Sequence, residues 1–146
     1  MKKSFRIILG LIALVLVSIT ACKKYSEGPM LSLRSKKARL AGDWKLDKVT
    51  KNGADVSSQF ISANATETYT YDKDGTWKYV YTSGTISLNF TGKWEFVDKK
   101  ENLKSTIDGS TDPDGDTVTI VRLKNKEFWT EQKSGSDTYR FEYVPK

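Results

Sequence analysis

The sequence predicts an all-β domain that closes into a small barrel. Apolar and polar residues alternate with a period of two in successive short segments between residues 43 and 144, as expected for strands with one wet face. Turns rich in glycine, aspartate and asparagine separate these segments, and no long helical period interrupts them. Such a meander is typical of a barrel or a sandwich. We predict the barrel, because closure removes exposed strand edges.

The first 21 residues have the features of a secretory signal. Lys2, Lys3 and Arg6 form a positive segment, and an apolar core follows from Ile7 to Val17. Small residues then lead to Cys22. This order of charge, apolar core and small residues indicates a signal peptide, and the core is too short for a comfortable membrane span.

Cys22 is the only cysteine in the chain and follows the run Ile19-Thr20-Ala21 directly. The run resembles the lipobox of bacterial lipoproteins. The resemblance implies that cleavage leaves Cys22 as the first residue and that two or three acyl chains anchor it to the membrane, each buried methylene contributing about 0.8 kcal/mol. The alternative is an ordinary secretory signal with a chance cysteine.

Residues 22–39 are predicted to form a basic tether. They carry six basic residues and one acidic residue, whereas residues 40–146 carry 15 basic and 17 acidic residues. The tether either rests on anionic lipid head groups, with about 1 kcal/mol per basic residue, or is solvated. The near-neutral domain argues against a nucleic-acid partner. If the chain is a lipoprotein, as the resemblance implies, then Lys23 directly after the cysteine indicates that it is sorted to the outer membrane. The lack of an acidic run after Cys22 indicates that the domain faces the periplasm.

Residues 40–146 are predicted to form the barrel domain. Its strands are expected near residues 43–51, 66–72, 76–83, 85–91, 92–97, 102–107, 116–123, 127–132 and 137–144. The large apolar residues keep the same parity on both sides of Gly92, so residues 85–97 could form one long strand instead of two. The predicted number of strands is therefore eight or nine. Residues 55–62 are expected to form a loop or a single helical turn.

The first strand opens with a G-x-W pattern at Gly42 and Trp44, and similar patterns recur at residues 75–77 and 92–94. With the lipobox and the basic tether, this order resembles the lipocalin-like lipoproteins of Bacteroidetes. The resemblance implies a lipocalin-like barrel in which Trp44 plugs the closed end. It also implies that Arg140, on the last strand, packs over the Trp44 ring, where a cation–π contact would be favourable.

Five aromatic residues are candidates for lining a ligand site, because each belongs to the large-residue parity of its predicted strand. They are Trp77, Tyr79, Tyr81, Phe90 and Phe141. The alternative is that these residues simply fill the barrel, as side chains do in small barrels.

Catalysis and a metal site find little support in the sequence. The chain has no histidine and only one cysteine, so catalytic triads and histidine-ligated metals are excluded. Glu127 and Glu131 lie on the same face of one predicted strand and could form a catalytic carboxylate pair. On a strand, however, such a pair is usually part of a solvated surface. The acidic run from Asp112 to Asp116 lacks the glycine and glutamate of an EF-hand loop and fits a tight turn better than a calcium site.

We therefore expect a lipid-anchored, non-enzymatic envelope protein that needs no cofactor and binds a small apolar ligand. The alternative is a filled barrel that serves as a protein–protein interaction module, with a partner docked on its loops or rim. An open cavity of a few hundred cubic ångströms would favour the first function, and an exposed apolar patch would favour the second.

Overall fold

The structure is a computed structural model that describes residues 33–146. The predicted signal peptide 1–21 and the predicted lipidation at Cys22 lie outside the described residues. The helical segments that residues 33–146 do form are too short or too polar to cross a membrane.

The described chain forms one short α-helix and nine β-strands. These are α1 (Lys36–Leu40), β1 (Gly42–Lys51), β2 (Ala54–Asp55), β3 (Ala65–Tyr71), β4 (Thr76–Ser83), β5 (Ile86–Val97), β6 (Asn102–Ile107), β7 (Asp116–Leu123), β8 (Phe128–Ser134) and β9 (Asp137–Pro145). The two predicted segments 85–91 and 92–97 are one strand, β5, which continues through Gly92.

The strands form a closed antiparallel barrel. Strands β3 to β9 pair in sequence order, β3 also pairs with β1, and β9 pairs back with β1 from Trp44↔Pro145 to Lys51↔Tyr139. Eight strands therefore close the barrel, and the two-residue strand β2 is added to the end of β1. The prediction of an all-β barrel of eight to nine strands is confirmed.

The connection from β1 to β3 crosses one end of the barrel. It contains β2 and a single 3₁₀ turn at Ser57–Gln59, as the sequence predicts for this region. The hydroxyl of Ser57 accepts a 3.0 Å hydrogen bond from the Val49 amide, which ties the turn to β1. The pairing of β1 with β3 covers only three residue pairs, so this connection lies beside the least-paired seam of the barrel.

The hydrophobic core lies at the opposite end, which α1 covers. Seven buried residues form it, namely Leu40, Trp44, Trp94, Leu103, Ile120, Leu123 and Phe128. Leu40 is fully buried at the end of α1, and its carbonyl accepts a 2.7 Å hydrogen bond from Trp44 Nε1. Residues 36–39, which the sequence assigns to the tether, are thus part of a helix that ends in the core.

The predicted stacking of Arg140 on Trp44 is wrong. Arg140 is opposite Thr50 in the β1–β9 ladder, whereas Trp44 is opposite Pro145, so the two are roughly 17 Å apart along the strand. Alternation also directs Arg140 outward between the inward-facing Tyr139 and Phe141. Trp44 instead packs edge-on against Phe128, with ring centroids 5.7 Å apart.

Candidate ligand-binding site

The barrel has a closed end and a mouth. The closed end lies at α1, where the core residues gather. The mouth lies at the other end, where the β4–β5, β6–β7 and β8–β9 turns and the β1–β3 connection meet. Because cross-strand partners share a face, the inward-facing residues continue along each strand from the core toward the mouth.

A cavity of about 250 Å³ lies inside the barrel, between the core and the mouth. Its aromatic lining consists of Tyr69, Tyr71, Trp77, Phe128, Phe141 and Tyr143. Leu103, Ile107 and Val118 add aliphatic surface, and the 43 % exposure of Ile107 shows that the cavity reaches solvent. The polar groups are Ser105, Asp116, Thr130 and Gln132. The space is therefore mainly apolar, with a few hydrogen-bonding groups along β6 to β8.

Three tyrosines bring hydroxyl groups to this interior. Burial raises the pKa of Tyr69, Tyr71 and Tyr143 well above the ordinary value, with nearby tyrosines and the Glu67 carboxylate adding to the effect for Tyr69 and Tyr143. The Tyr69 hydroxyl donates a 3.3 Å hydrogen bond to Glu67 Oε2. These side chains are neutral at physiological pH and can donate and accept hydrogen bonds inside an apolar space.

The fold is similar to that of a protein whose structure has been solved. It is a lipocalin-like protein from Bacteroides uniformis, with 14 % sequence identity and a TM-score of 0.50, and the match covers 70 % of this chain and 96 % of that one. The barrel is lipocalin-like. No protein-family model and no curated protein gives a significant match to the sequence. At this identity the likeness concerns the fold.

Of the five predicted site residues, two line the cavity of the lipocalin-like barrel. They are Trp77 and Phe141. Tyr79, Tyr81 and Phe90 share the inward face but lie nearer the mouth, on the β4–β5 hairpin. Tyr79 packs against Tyr69 at 4.8 Å and stacks on Phe90 at 6.2 Å between ring centroids, and so connects the hairpin to the cavity wall.

The sequence prediction missed the tyrosines Tyr69, Tyr71 and Tyr143. Each stands on the inward parity of its strand, at Tyr69↔Tyr79, Tyr71↔Trp77 and Leu46↔Tyr143. The alternation that directs these residues inward is present in the sequence. What alternation alone could not indicate is which inward residues border space and which border other side chains.

Trp77 is held in place by a backbone contact across β5. Its Nε1 donates a 2.9 Å hydrogen bond to the Thr106 carbonyl on β6, and the ring passes over Gly92 on the strand between them. A side chain at position 92 would fill the space that the indole uses. Trp77 therefore forms a fixed wall of the cavity.

Phe60 stands at the mouth beside the cavity. It belongs to the β1–β3 connection, and its ring packs edge-on against Phe141 at 5.8 Å and Tyr139 at 6.1 Å between centroids. Phe141 lines the cavity, so Phe60 covers a lining residue from the solvent side. Its own ring is 39 % exposed, as expected for a side chain at a rim.

The carboxylates that the sequence raised as candidates have structural partners. Glu127 pairs with Arg122 at 3.0 Å and Glu131 with Arg140 at 2.9 Å, and both guanidinium groups lie over the Trp129 ring on the outer wall. Asp112 Oδ1 accepts a hydrogen bond from the Asp114 amide, which makes a tight turn. Within residues 33–146 no three carboxylates gather as a metal ion would require.

Proposed function

We propose that this protein holds a small, largely apolar molecule in the cavity of its lipocalin-like barrel and carries out no chemistry on it. The observation that carries the proposal is the cavity of about 250 Å³ beneath the mouth. Ligand pockets typically measure about 300–1,000 Å³, and an apolar cavity of about 150 Å³ is enough for benzene. A ligand of one to three aromatic rings, or a short acyl chain, fits this range.

The lining supports an amphipathic rather than a purely hydrocarbon ligand. Faces of Tyr71, Trp77, Phe128 and Phe141 offer apolar contact. The hydroxyl groups of the tyrosines, with Thr130 and Gln132, offer hydrogen bonds that would orient one polar group of the ligand. A small number of placed polar groups in an apolar pocket is the usual basis of small-molecule specificity.

The proposal includes a place in the cell. Lipid on Cys22 would anchor the protein to a bacterial envelope, in the outer membrane and facing the periplasm. The leader sequence and the lipobox resemblance support this, and Lys23 supports the outer membrane. The full-length protein and its Cys22→Ser variant would be compared by mass spectrometry and by cell fractionation. We expect the variant to lose the lipid mass and to leave the membrane fraction, and an unchanged membrane fraction would contradict anchoring.

Two measurements test the binding function. Native and denaturing mass spectrometry of the full-length protein from a bacterial envelope would reveal a mass that denaturation removes. In parallel, the neutral dye N-phenyl-1-naphthylamine would be titrated against the parent and two variants. Val118→Trp places a large ring in the cavity, and Thr119→Trp places the same ring on the exposed outer face of β7.

We expect Val118→Trp to weaken dye binding at least tenfold and Thr119→Trp to leave it unchanged. Equal dye binding by all three proteins, with no bound mass, would contradict the proposed function. Urea unfolding of both variants would show whether the larger side chain is accommodated.

A second candidate function is a non-enzymatic interaction module of the envelope. The observation that favours it is the exposure of Ile86, Leu88 and Phe90 on β5, at 58 %, 47 % and 42 %. A protein that carries no bound mass and gives no saturable dye signal would favour this function over ligand binding.

A further inference from the structure

The β4–β5 hairpin extends beyond the wall of the barrel. Strand β6 pairs only with Gly92–Val97 of β5, whereas β4 pairs with β5 as far as Ile86. Residues 86–90 are therefore bonded on one edge only, and all five are exposed. We call residues 79–91 the arm. Within the described part of the chain, from residue 33 onward, no strand pairs with its outer edge.

The outer edge of the arm presents backbone groups that can bond another strand. The Asp108 amide donates a 2.8 Å hydrogen bond to the Thr91 carbonyl on this edge. In an antiparallel ladder the groups of alternate residues point to the same edge. The N–H and C=O groups of Ser87 and Asn89 therefore face outward on the same side as the Thr91 carbonyl.

The arm lacks the features that usually prevent strands from pairing at an edge. Such features are lysine, proline, inward-pointing charge or a bulge. Between Lys78 and Lys93 the sequence contains no charged residue and no proline, although 29 % of the whole chain is charged. The pairing of β4 with β5 is continuous from Thr76↔Lys93 to Ser83↔Ile86, without a bulge. This edge is open to pairing.

We propose that the arm pairs with the arm of a second copy of this chain, antiparallel and about a two-fold axis at Leu88. Ser87 of one copy then exchanges two hydrogen bonds with Asn89 of the other, and the same bonds recur on the other side of the axis. Leu88 meets Leu88, and Ile86 meets Phe90. These side chains lie beside each other on the same face of one continuous sheet, so each arm shields the apolar residues at the edge of the other.

Self-pairing fits the charge and symmetry of the arm. In a two-fold contact the same surface of both copies comes together, so an arm with a net charge would bring like charges together. The neutral sequence from Tyr79 to Gly92 avoids this repulsion. A lipid surface fits less well, because the chain enters the barrel through α1 at the closed end and the arm projects at the mouth. The contact is small, so we expect a reversible dimer.

Disulfide trapping tests the proposed register in the full-length protein. Leu88 would occupy a non-hydrogen-bonded pair on the axis, where Cα atoms lie about 4.5 Å apart, within the span of a disulfide. We expect Leu88→Cys to give a covalent dimer on mild oxidation. Thr119→Cys, on the exposed outer face of β7, provides the matched control, and the parent chain with Cys22 alone gives the background.

A second variant and a second measurement separate pairing from chance collision. Asn89→Pro removes an edge N–H, so Leu88→Cys combined with Asn89→Pro should lose at least nine-tenths of the trapped dimer. Sedimentation of the otherwise unchanged protein should show a monomer–dimer equilibrium that Asn89→Pro shifts to monomer. Trapping no stronger than in Thr119→Cys would overturn the proposal. So would a disulfide formed with a different protein, which would identify a foreign strand as the occupant.

Discussion

The indole Nε1 of Trp77 donates a 2.9 Å hydrogen bond to the backbone carbonyl of Thr106, two strands away. The bond passes over β5 at Gly92, the one position of that strand where no side chain intervenes. It connects β4 to β6 in the middle of the wall and fixes one side of the cavity.

Replacing Gly92 with alanine should therefore destabilise the barrel. A Cβ atom there would collide with the Thr106 carbonyl and come within 2.7 Å of Trp77 Nε1. Overpacking and the disturbed hydrogen bond together should reduce the free energy of unfolding by about 2–4 kcal/mol, measured by urea denaturation. Ser87→Ala, at an exposed position of the same strand, should change it by less than about 0.5 kcal/mol. Equal stability of the two variants would contradict the role given to Gly92.

Truncation of Leu40 should show that α1 belongs to the folded barrel. Leu40 is fully buried among the core residues, so Leu40→Ala should cost about 2–5 kcal/mol of unfolding free energy. Leu33, which precedes α1 in the chain, is fully exposed, and Leu33→Ala should have an effect below about 0.5 kcal/mol. Urea titrations of both variants would measure these changes in unfolding free energy. A small loss for Leu40→Ala would mean that the barrel closes without the helix.

High pH should unfold the protein through its buried tyrosines. Burial raises the pKa of Tyr143 above that of an unfolded tyrosine, which is about 10. Below pH 10 both states keep the proton and stability is complete. Above it the unfolded state alone ionises, so stability falls by up to about 1.4 kcal/mol per pH unit for each such tyrosine. Circular dichroism and tyrosinate absorbance would follow the transition.

The Tyr143→Phe variant should lose stability less steeply above pH 10, because one ionising group is removed from the unfolded state. Its stability below pH 10 should show no comparable dependence on pH. The same slope in parent and variant would mean that other groups drive the alkaline transition.

Removing the ring of Phe60 should open the mouth of the cavity. Phe60 packs edge-on against Phe141, and such aromatic pairs contribute about 0.5–1.5 kcal/mol. If the cavity binds N-phenyl-1-naphthylamine as proposed, the dye should dissociate roughly threefold to tenfold faster from Phe60→Ala, measured by stopped-flow fluorescence. Phe60→Leu, which keeps an apolar side chain, should lie between. An unchanged rate in both variants would place the ligand path elsewhere.

Much of the fold could be predicted because the alternation of apolar and polar residues shows which residues of a strand face inward. The inward set of β4, with Trp77, Tyr79 and Tyr81, follows directly from alternation. The packing of Arg140 could not be predicted in this way. The lipocalin resemblance implied that Arg140 packs over Trp44. The register of β9 against β1 instead brings Arg140 opposite Thr50, and its side chain contacts Glu131 and Trp129. Register depends on bulges and closure, which alternation does not encode.

The sequence by itself determined the all-β class, the positions of the strands along the chain and the inward face of β4, because these depend on local periodicity and turn chemistry. Only the tertiary structure decided where the barrel is filled and where it is empty. Leu40 and Trp44 close one end, whereas Tyr69 and Phe141 border a cavity. It also decided that β5 extends past β6 and leaves an open edge. These features depend on the relative lengths and registers of strands that are distant in the sequence.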